Sequence, residues 1–507
     1  MKNYSLLKYL EMKKILLSNS FPEVLLKLIH GSVIIMLFLL LFSSCSKILE
    51  EKPKSLAIET YYTTSGEIQT AVNSIYAPLR GATNAFWYFI GVNTAHSDYA
   101  YGRGSWAGLN DFDGFNGTWI TRTNQCWTSA YQSIRNANIV IKNAPLSKGS
   151  TKADIDGFVA EAKFLRAFVY FIIVREWGGV PIRTESNMRD VDCKKSTTQE
   201  IYNFIISDLK EAETNLPDVA AVSGRPSKWA AKTLLADVYL QIEKFAEARD
   251  KANEVIQANK YSLVVVNSVD DFQKIFGPTP VTTAEEIFYL KFSHDPGQGT
   301  QWPLLLNHPG TKLLGGGGVY GIHSYNYNPV YQNWDGNDLR KGLWYLWDIG
   351  VGPGSILSKK FIDPTAIDGG SNGNPETYYR YADLLLIYAE AAGRAGSGPT
   401  AEAIEALNKV HRRAYGYNPT TSSVVDFKLT DYTTTSFLDL IVKERGYEFQ
   451  LEGKRYLELR RTGKLKAIIL AAKGKIVSDK DLLWPIPVDE LTGNKALNPA
   501  TDQNPGY

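Results

Sequence analysis

Apolar positions along most of this chain recur at helical spacing. Between 67 and 80, Ile68, Ala71, Val72, Ile75, Tyr76 and Leu79 fall on one face. Over 127–144, Trp127, Ala130, Tyr131, Ile134, Ala137 and Ile141 do the same, the spacing with which an amphipathic helix buries one stripe. The pattern predicts a long helix over 154–177, stopped by Gly178-Gly179 with Pro181 beyond, and another over 198–215 opened by a Thr-Thr-Gln-Glu cap. From Ala230 onward, Ala236, Tyr239 and Ala248 stand at tetratricopeptide-repeat positions, where small residues let two antiparallel helices approach and a tyrosine fills the gap. A second pair spans 380–415, split near Gly396 and Gly398, and helices over 435–451 and 455–472 follow. The predicted fold is mostly α: tetratricopeptide-like helix pairs forming a superhelical scaffold, with long irregular loop insertions between them.

Two stretches break the helical pattern. Residues 83–126 and 293–379 are rich in Gly, Asn, Tyr and Trp. Structureless loops this long are uncommon in a compact body and often functional. With 44% hydrophobic and 12% aromatic residues in 507, the chain is too apolar to be disordered. Its net charge of +2 comes without the Lys/Arg clustering of a nucleic-acid surface. Three cysteines, Cys45, Cys126 and Cys193, make neither a disulfide framework nor a CxxC metal site; Cys126 and Cys193 are expected as buried free thiols.

The N-terminus carries its own pattern. An unbroken apolar run covers 33–42, preceded by Lys8, Lys13, Lys14 and Lys27 and followed by Ser43, Ser44 and Cys45. It is too short for the roughly 20 residues of a membrane helix and suits the apolar region of a secretory signal. Cys45 after a small pair resembles a bacterial lipoprotein box, in which the thiol is lipidated and becomes the new N-terminus. Phe42 stands where leucine is usual. Translation from Met12, which opens Met-Lys-Lys, is an alternative start. Cleavage would leave 50 basic and 51 acidic groups. The expected organisation is a signal peptide over 1–44, a lipidated tether over 45–66, an N-terminal helical region over 67–280 with the aromatic loop 83–126, and a C-terminal region over 281–507 with the insertion 293–379.

Catalytic signatures are sparse. The six His residues make no HExxH, and neither GxSxG nor GxxxxGK[ST] occurs. Gly316, Gly318 and Gly321 fit GxGxxG, but no apolar strand delivers the loop and no helix follows it. Asp111 and Asp113 resemble the start of a calcium loop, yet Arg122 stands where its glutamate belongs. No metal or cofactor is expected. Paired carboxylates for glycoside hydrolysis are abundant but unmarked. The positive signal is aromatic, since a flat Tyr or Trp ring matches the apolar face of a sugar at low entropic cost. Trp87, Tyr99, Tyr101, Trp106, Trp302, Tyr320, Tyr325 and Tyr327 are the expected stacking rings, and Asp98, Asn110 and Asn326 the expected hydrogen-bonding groups.

Several stretches together resemble the SusD/RagB family. Glu161-Ala-Lys-Phe-Leu-Arg-Ala-Phe-Val-Tyr-Phe through Gly178-Gly-Val-Pro-Ile resembles its long helix and exit. Tyr379-Arg-Tyr-Ala-Asp-Leu-Leu-Leu-Ile-Tyr-Ala-Glu-Ala looks like its RYAD signature. Glu444-Arg-Gly-Tyr-Glu-Phe-Gln-Leu-Glu-Gly-Lys-Arg through Arg461, Trp484-Pro-Ile-Pro, and Gln503-Asn-Pro-Gly-Tyr match its closing motifs. Gly446, Tyr447, Lys454 and Glu458 depart from the family pattern. Glu444, Glu448, Glu452, Arg455, Arg460 and Arg461 read as ion-pairing scaffold. The resemblance implies a non-catalytic lipoprotein of the outer-membrane surface, anchored at Cys45, that binds an oligosaccharide and works with a SusC-like TonB-dependent transporter. Peptide capture on the same scaffold, a surface glycosidase and a purely structural bridging module are the rival readings.

Overall fold

The computed structural model describes residues 62–80, 85–278, 282–396 and 398–507; the signal segment, Cys45 and most of the tether lie outside them. Helix α1 (Ser65–Tyr76) begins where Thr64 accepts the Glu67 N–H and the Glu67 carboxylate reaches back to the Thr64 N–H, and it tightens into a 3₁₀ turn at Pro78. Then come α2 (Tyr88–Ala95), α3 (Gly117–Asn143), α4 (Lys152–Trp177), α5 (Thr198–Asn215), α6 (Lys228–Gln241) and α7 (Phe245–Gln257). The expected cap of α5 is present as a Thr197/Glu200 box, and α4 ends at Gly178, whose φ of 71° suits the glycine. Helix α3 starts earlier than its periodicity suggests. Asn116 caps it by accepting the Trp119 N–H, so Trp119, Thr123 and Cys126 extend the buried stripe into the stretch expected to be irregular.

From α3 to α7 each helix packs against the next, which makes the superhelical ribbon. Ala236 and Ala248 are fully buried at the α6–α7 contact and Tyr239 is nearly so. The ribbon resumes after a long excursion: α8 (Tyr381–Ala395) packs directly on α7, and α9 (Ala401–Ala414) packs on α8. Helices α10 (Thr434–Glu448), α11 (Arg455–Arg461) and α12 (Leu465–Lys473) close the chain. Expected helices over 435–451 and 455–472 are each shorter, because Leu451, Gly453 and Gly463 hold positive φ and break the hydrogen-bond ladder.

The excursion between α7 and α8 carries the sheets. Strand β2 (Glu286–Leu290) pairs antiparallel with β6 (Glu376–Arg380) against the helices. A four-stranded sheet of order β1-β3-β5-β4 joins β1 (Tyr101–Gly102) from the first aromatic stretch to β3 (Ile322–Tyr325), β5 (Ser355–Ser358) and β4 (Trp344–Leu346) from the second. Both aromatic stretches therefore meet in one sheet.

A buried ionic lattice ties the last helices to the body. Arg380, fully buried, reaches Glu285, Glu448 and Glu452 at 2.6–2.8 Å. Arg413 shares Glu285 and Glu448, Arg340 pairs with Asp338, Glu444 and Glu448, and Lys360 pairs with Glu452. Arg455 holds Asp98, and Arg461 holds Glu390 at 2.6 Å. The expected scaffold role of the closing motif is met, with one correction. Arg460 donates to the carbonyls of Arg175 and Leu482 rather than to a carboxylate, so it binds the end of α4 through peptide oxygens. Cys126 is buried and Cys193 only half-buried, and neither forms a disulfide among the described residues.

Candidate functional site

Strand alternation sorts the rings of the four-stranded sheet. Tyr101 faces His323 across β1–β3, Tyr325 faces Ser355 across β3–β5, and Tyr345 faces Leu357 across β4–β5. Directly opposed residues share a face, so Tyr101, His323, Tyr325 and Tyr345 line one side. Trp347 joins them, because its N–H donates to the Ser355 carbonyl and its own carbonyl accepts the Ser355 hydroxyl. Trp344 and Ile356 point to the opposite, buried side. Trp347 and Tyr345 were not among the expected site residues, although the alternation in Trp344-Tyr-Leu-Trp347 marks them as a pair on one face.

Two ring groups open from that face. Tyr325 and Tyr327 stack with centroids 4.7 Å apart and planes 19° from parallel, and Tyr101 meets Tyr325 edge-on at 5.0 Å. Tyr327 is 57% exposed, an unusual cost for a large ring without a partner. The second group is His308, Tyr320 and Trp347, with His308 4.5 Å from Tyr320 and 5.6 Å from Trp347. The Arg103 guanidinium lies over Tyr320 at 4.2 Å. All four side chains are half-buried. Asn326, beside the stacked pair, has no side-chain hydrogen bond among the described residues, and its backbone N–H is fixed by the Gly354 carbonyl.

The other expected residues serve the frame. Trp302 is buried and its indole N–H donates to the Leu451 carbonyl at 3.1 Å, while the Tyr99 hydroxyl accepts the Leu451 N–H at 2.6 Å. Between them they hold both polar groups of a buried residue whose φ is +64°, a conformation a leucine adopts only when its surroundings compel it. Trp106 is buried 4.5 Å from Trp119 and lies so close to Gly91 that a Cβ there would sit 2.5 Å from its ring. Trp87 lies against Tyr88, with ring centroids 4.1 Å apart and planes tilted by 34°, and is 8% exposed. Asp98 gives both oxygens to Arg455. Asn110 spends its amide on both backbone groups of Gly102. As folded, Trp87, Tyr99, Trp106, Trp302 and Asp98 are buried and offer no open face, and Asn110 has its polar groups occupied. The reason is common to them: loop rings near the helices are consumed in packing the loops down.

Backbone crowding shapes the second ring group. A Cβ on Gly315, Gly316 or Gly318 would lie 2.0–2.3 Å from carbonyl oxygens of Ala366, Asp368 and Asn307. The GxGxxG match thus reflects close passage of three backbones. Tyr320, delivered by this run, holds φ +39° while its N–H bonds to the Asn307 carbonyl at 3.1 Å. Strain of this kind is stored where a side chain must point in one direction.

Lys473 is buried under Tyr101, 4.5 Å from its ring centre, and donates to the carbonyls of Ala95 and Ala100. Burial pulls its pKa down to about 7, opposed by Asp98. Both His323 nitrogens are buried without a hydrogen-bond partner among the described residues. Burial first, and then the charges of Arg103 and Lys473, push that imidazole down to about 4. Among the described residues no group of three or more His, Cys, Asp or Glu could hold a metal ion. Larger clefts open elsewhere: one of about 490 Å³ lined by Arg80, Arg225 and Lys291, another of about 470 Å³ lined by Val330, Val442 and Ile468. Neither includes an expected site residue.

A ribbon of helix pairs with an aromatic sheet inserted between two neighbouring helices defines a class of binding scaffold. Residues 48–240 match the SusD-like family described as "Starch-binding associating with outer membrane", and residues 350–507 match the SusD family. The chain belongs to the SusD/RagB family. It is 27% identical to SusD-like protein P2 of Formosa agariphila, across 92% of this chain and 98% of that one. A crystal structure of a SusD homolog from Bacteroides thetaiotaomicron superposes with TM-score 0.78 at 21% identity, covering 90% of this chain and all of that one. A solved "Laminarin binding SusD-like protein" superposes with TM-score 0.69 at 22% identity, covering 88% of this chain and all of that one.

Proposed function

We propose that this protein is a lipid-anchored, outer-membrane glycan-binding protein that holds oligosaccharides at the cell surface and passes them to a SusC-like TonB-dependent transporter. The observation that carries the sugar reading is the sheet face itself. It combines the exposed Tyr325–Tyr327 stack and the Tyr320–Trp347 group with an unengaged amide at Asn326. Flat rings at the surface with polar groups beside them suit the two faces of a pyranose. Laminarin binding by a protein of the same fold supports the ligand class. Catalysis forms no part of the proposal, and the protein is expected to release bound glycan unchanged.

Anchoring rests on the apolar run and Cys45, where acyl chains would contribute about 0.8 kcal/mol per buried CH₂. The central experiment is a polysaccharide array run with a peptide library. Glycan retention without peptide retention, and unchanged glycan after prolonged incubation, is the expected result. Retention of peptides alone moves the reading to peptide capture, and released products move it to a hydrolase. Fatty-acid labelling lost in Cys45→Ala tests the anchor, and co-purification of a TonB-dependent barrel tests the transporter.

A further inference from the structure

An arginine without a carboxylate partner among the described residues lies over one ring of the aromatic face, and that observation narrows the ligand. Elsewhere the buried arginines are matched by carboxylates: Arg166 by Asp208, Arg340 by Asp338, Arg380 by Glu452, Arg412 by Asp426, Arg461 by Glu390. Arg103 differs. Among the described residues no carboxylate lies within ion-pair distance of it, and its guanidinium instead lies 4.2 Å over the Tyr320 ring. A guanidinium held over a ring with no carboxylate partner keeps N–H donors for a bidentate acceptor. Tyr320 is the residue at φ +39°, fixed through Asn307, so the ring that carries the cation is held in place.

The sequence around the face agrees. No Asp or Glu occurs in 99–110 or in 296–334, although the chain holds 53 acidic residues. Lys312, exposed and in the left-handed region with φ +57°, follows the turn that begins at His308. Two acidic groups lie near. Asp98 is fully engaged by Arg455. Asp348, exposed beside Trp347, accepts the Gly350 N–H at 2.8 Å.

We infer that the ligand of this face is an anionic glycan, with a sugar ring on Tyr325–Tyr327 or Trp347 and its carboxylate or sulfate ester on Arg103, assisted by Lys312. The inference rests on the sugar-binding reading above and specifies the substrate class of that site. Uronate and sulfate ester share the planar or near-planar oxygen pair that a guanidinium recognises, and the experiment separates them.

The test is titration calorimetry on matched pairs taken from a glycan array: uronate-containing polysaccharides with their carboxyl-reduced counterparts, sulfated ones with their desulfated counterparts, and neutral glucans, galactans and mannans. The wild type is expected to bind at least one anionic member about tenfold more tightly than its neutralised partner, the scale of one charge-assisted contact. That preference should weaken with added salt. Whichever pair shows the difference names the group. Arg103→Gln is expected to abolish the ratio between the two affinities, and Lys312→Gln to halve it; an unchanged melting temperature certifies each fold. Neutral glycans bound as tightly as anionic ones, or a preference that survives Arg103→Gln, overturns the inference and leaves sugar binding standing. A wild type that retains no glycan overturns the sugar reading as well.

Discussion

The two aromatic stretches supply rings of the same chemistry with opposite fates. Tyr99, Trp106 and Trp302 lie within a few per cent of full burial, whereas Tyr327 is 57% exposed and Tyr325 and Tyr320 are half-buried. The buried set lies against the helices and the turn at Leu451, and its polar atoms brace backbone: the Trp302 indole and the Tyr99 hydroxyl hold the C=O and the N–H of Leu451. The exposed set lies at the end of a short sheet, where β3 runs out at Tyr325, while His323 and Leu357 on the same face are buried. Burial by a neighbouring element, not residue type, separates a framework ring from a platform ring.

That contrast can be broken in several ways. The largest effect belongs to the lattice beneath the framework. Arg380→Ala leaves Glu285, Glu448 and Glu452 to Arg413, Arg340 and Lys360 alone, and loss of one partner from a buried ion cluster is expected to cost about 3–5 kcal/mol, read as a lowered denaturation midpoint. Trp302→Ala should cost a similar amount, about 3–5 kcal/mol, and should lower glycan affinity only in proportion to the unfolded fraction. Acid should dissolve the same lattice. Arg340 and His411 hold the Glu444 pKa down to about 2, and Arg380 and Lys360 hold Glu452 down to about 2, both against the opposing effect of burial. A folded-state pKa below the unfolded one gives stability that is present above the unfolded value and lost as pH falls through the folded one. Melting temperature should therefore fall steeply between about pH 4.5 and 2.

Smaller effects separate the two ring sets further. Tyr327→Ala is expected to leave stability within about 0.5 kcal/mol and to weaken glycan binding by about 1–3 kcal/mol, the scale of stacking on a planar partner. Tyr99→Phe does the reverse: affinity per folded molecule holds, and stability falls by about 1–3 kcal/mol because the buried Leu451 N–H loses its acceptor.

Most of the scaffold was legible in sequence because helix packing writes itself as a three-and-four spacing. The small residues at Ala236 and Ala248 and the caps at Thr197 and Gly178 mark elements that the structure contains. The site was legible only as two regions. That the rings would be joined in one sheet depends on β1 pairing with β3, Tyr101 with His323 and Gly102 with Ile322, a long-range contact that no local pattern announces. Which rings would be buried depends on tertiary neighbours such as Leu451 and Gly91. Strand parity was the unused signal, and it would have added Tyr345 and Trp347. The glycine run, read as a weak phosphate-loop match, proved to be a steric requirement of three backbones passing within van der Waals distance.

The most direct test compares the two ring sets on one ligand. A glycan retained by the wild type would be titrated calorimetrically into the Tyr325→Ala/Tyr327→Ala double variant at matched folded fraction. A loss of affinity of about tenfold or more with an unshifted melting temperature is the predicted result, the scale of one to two stacking contacts. Unchanged affinity in the double variant would contradict the assignment of the sheet face as the binding site.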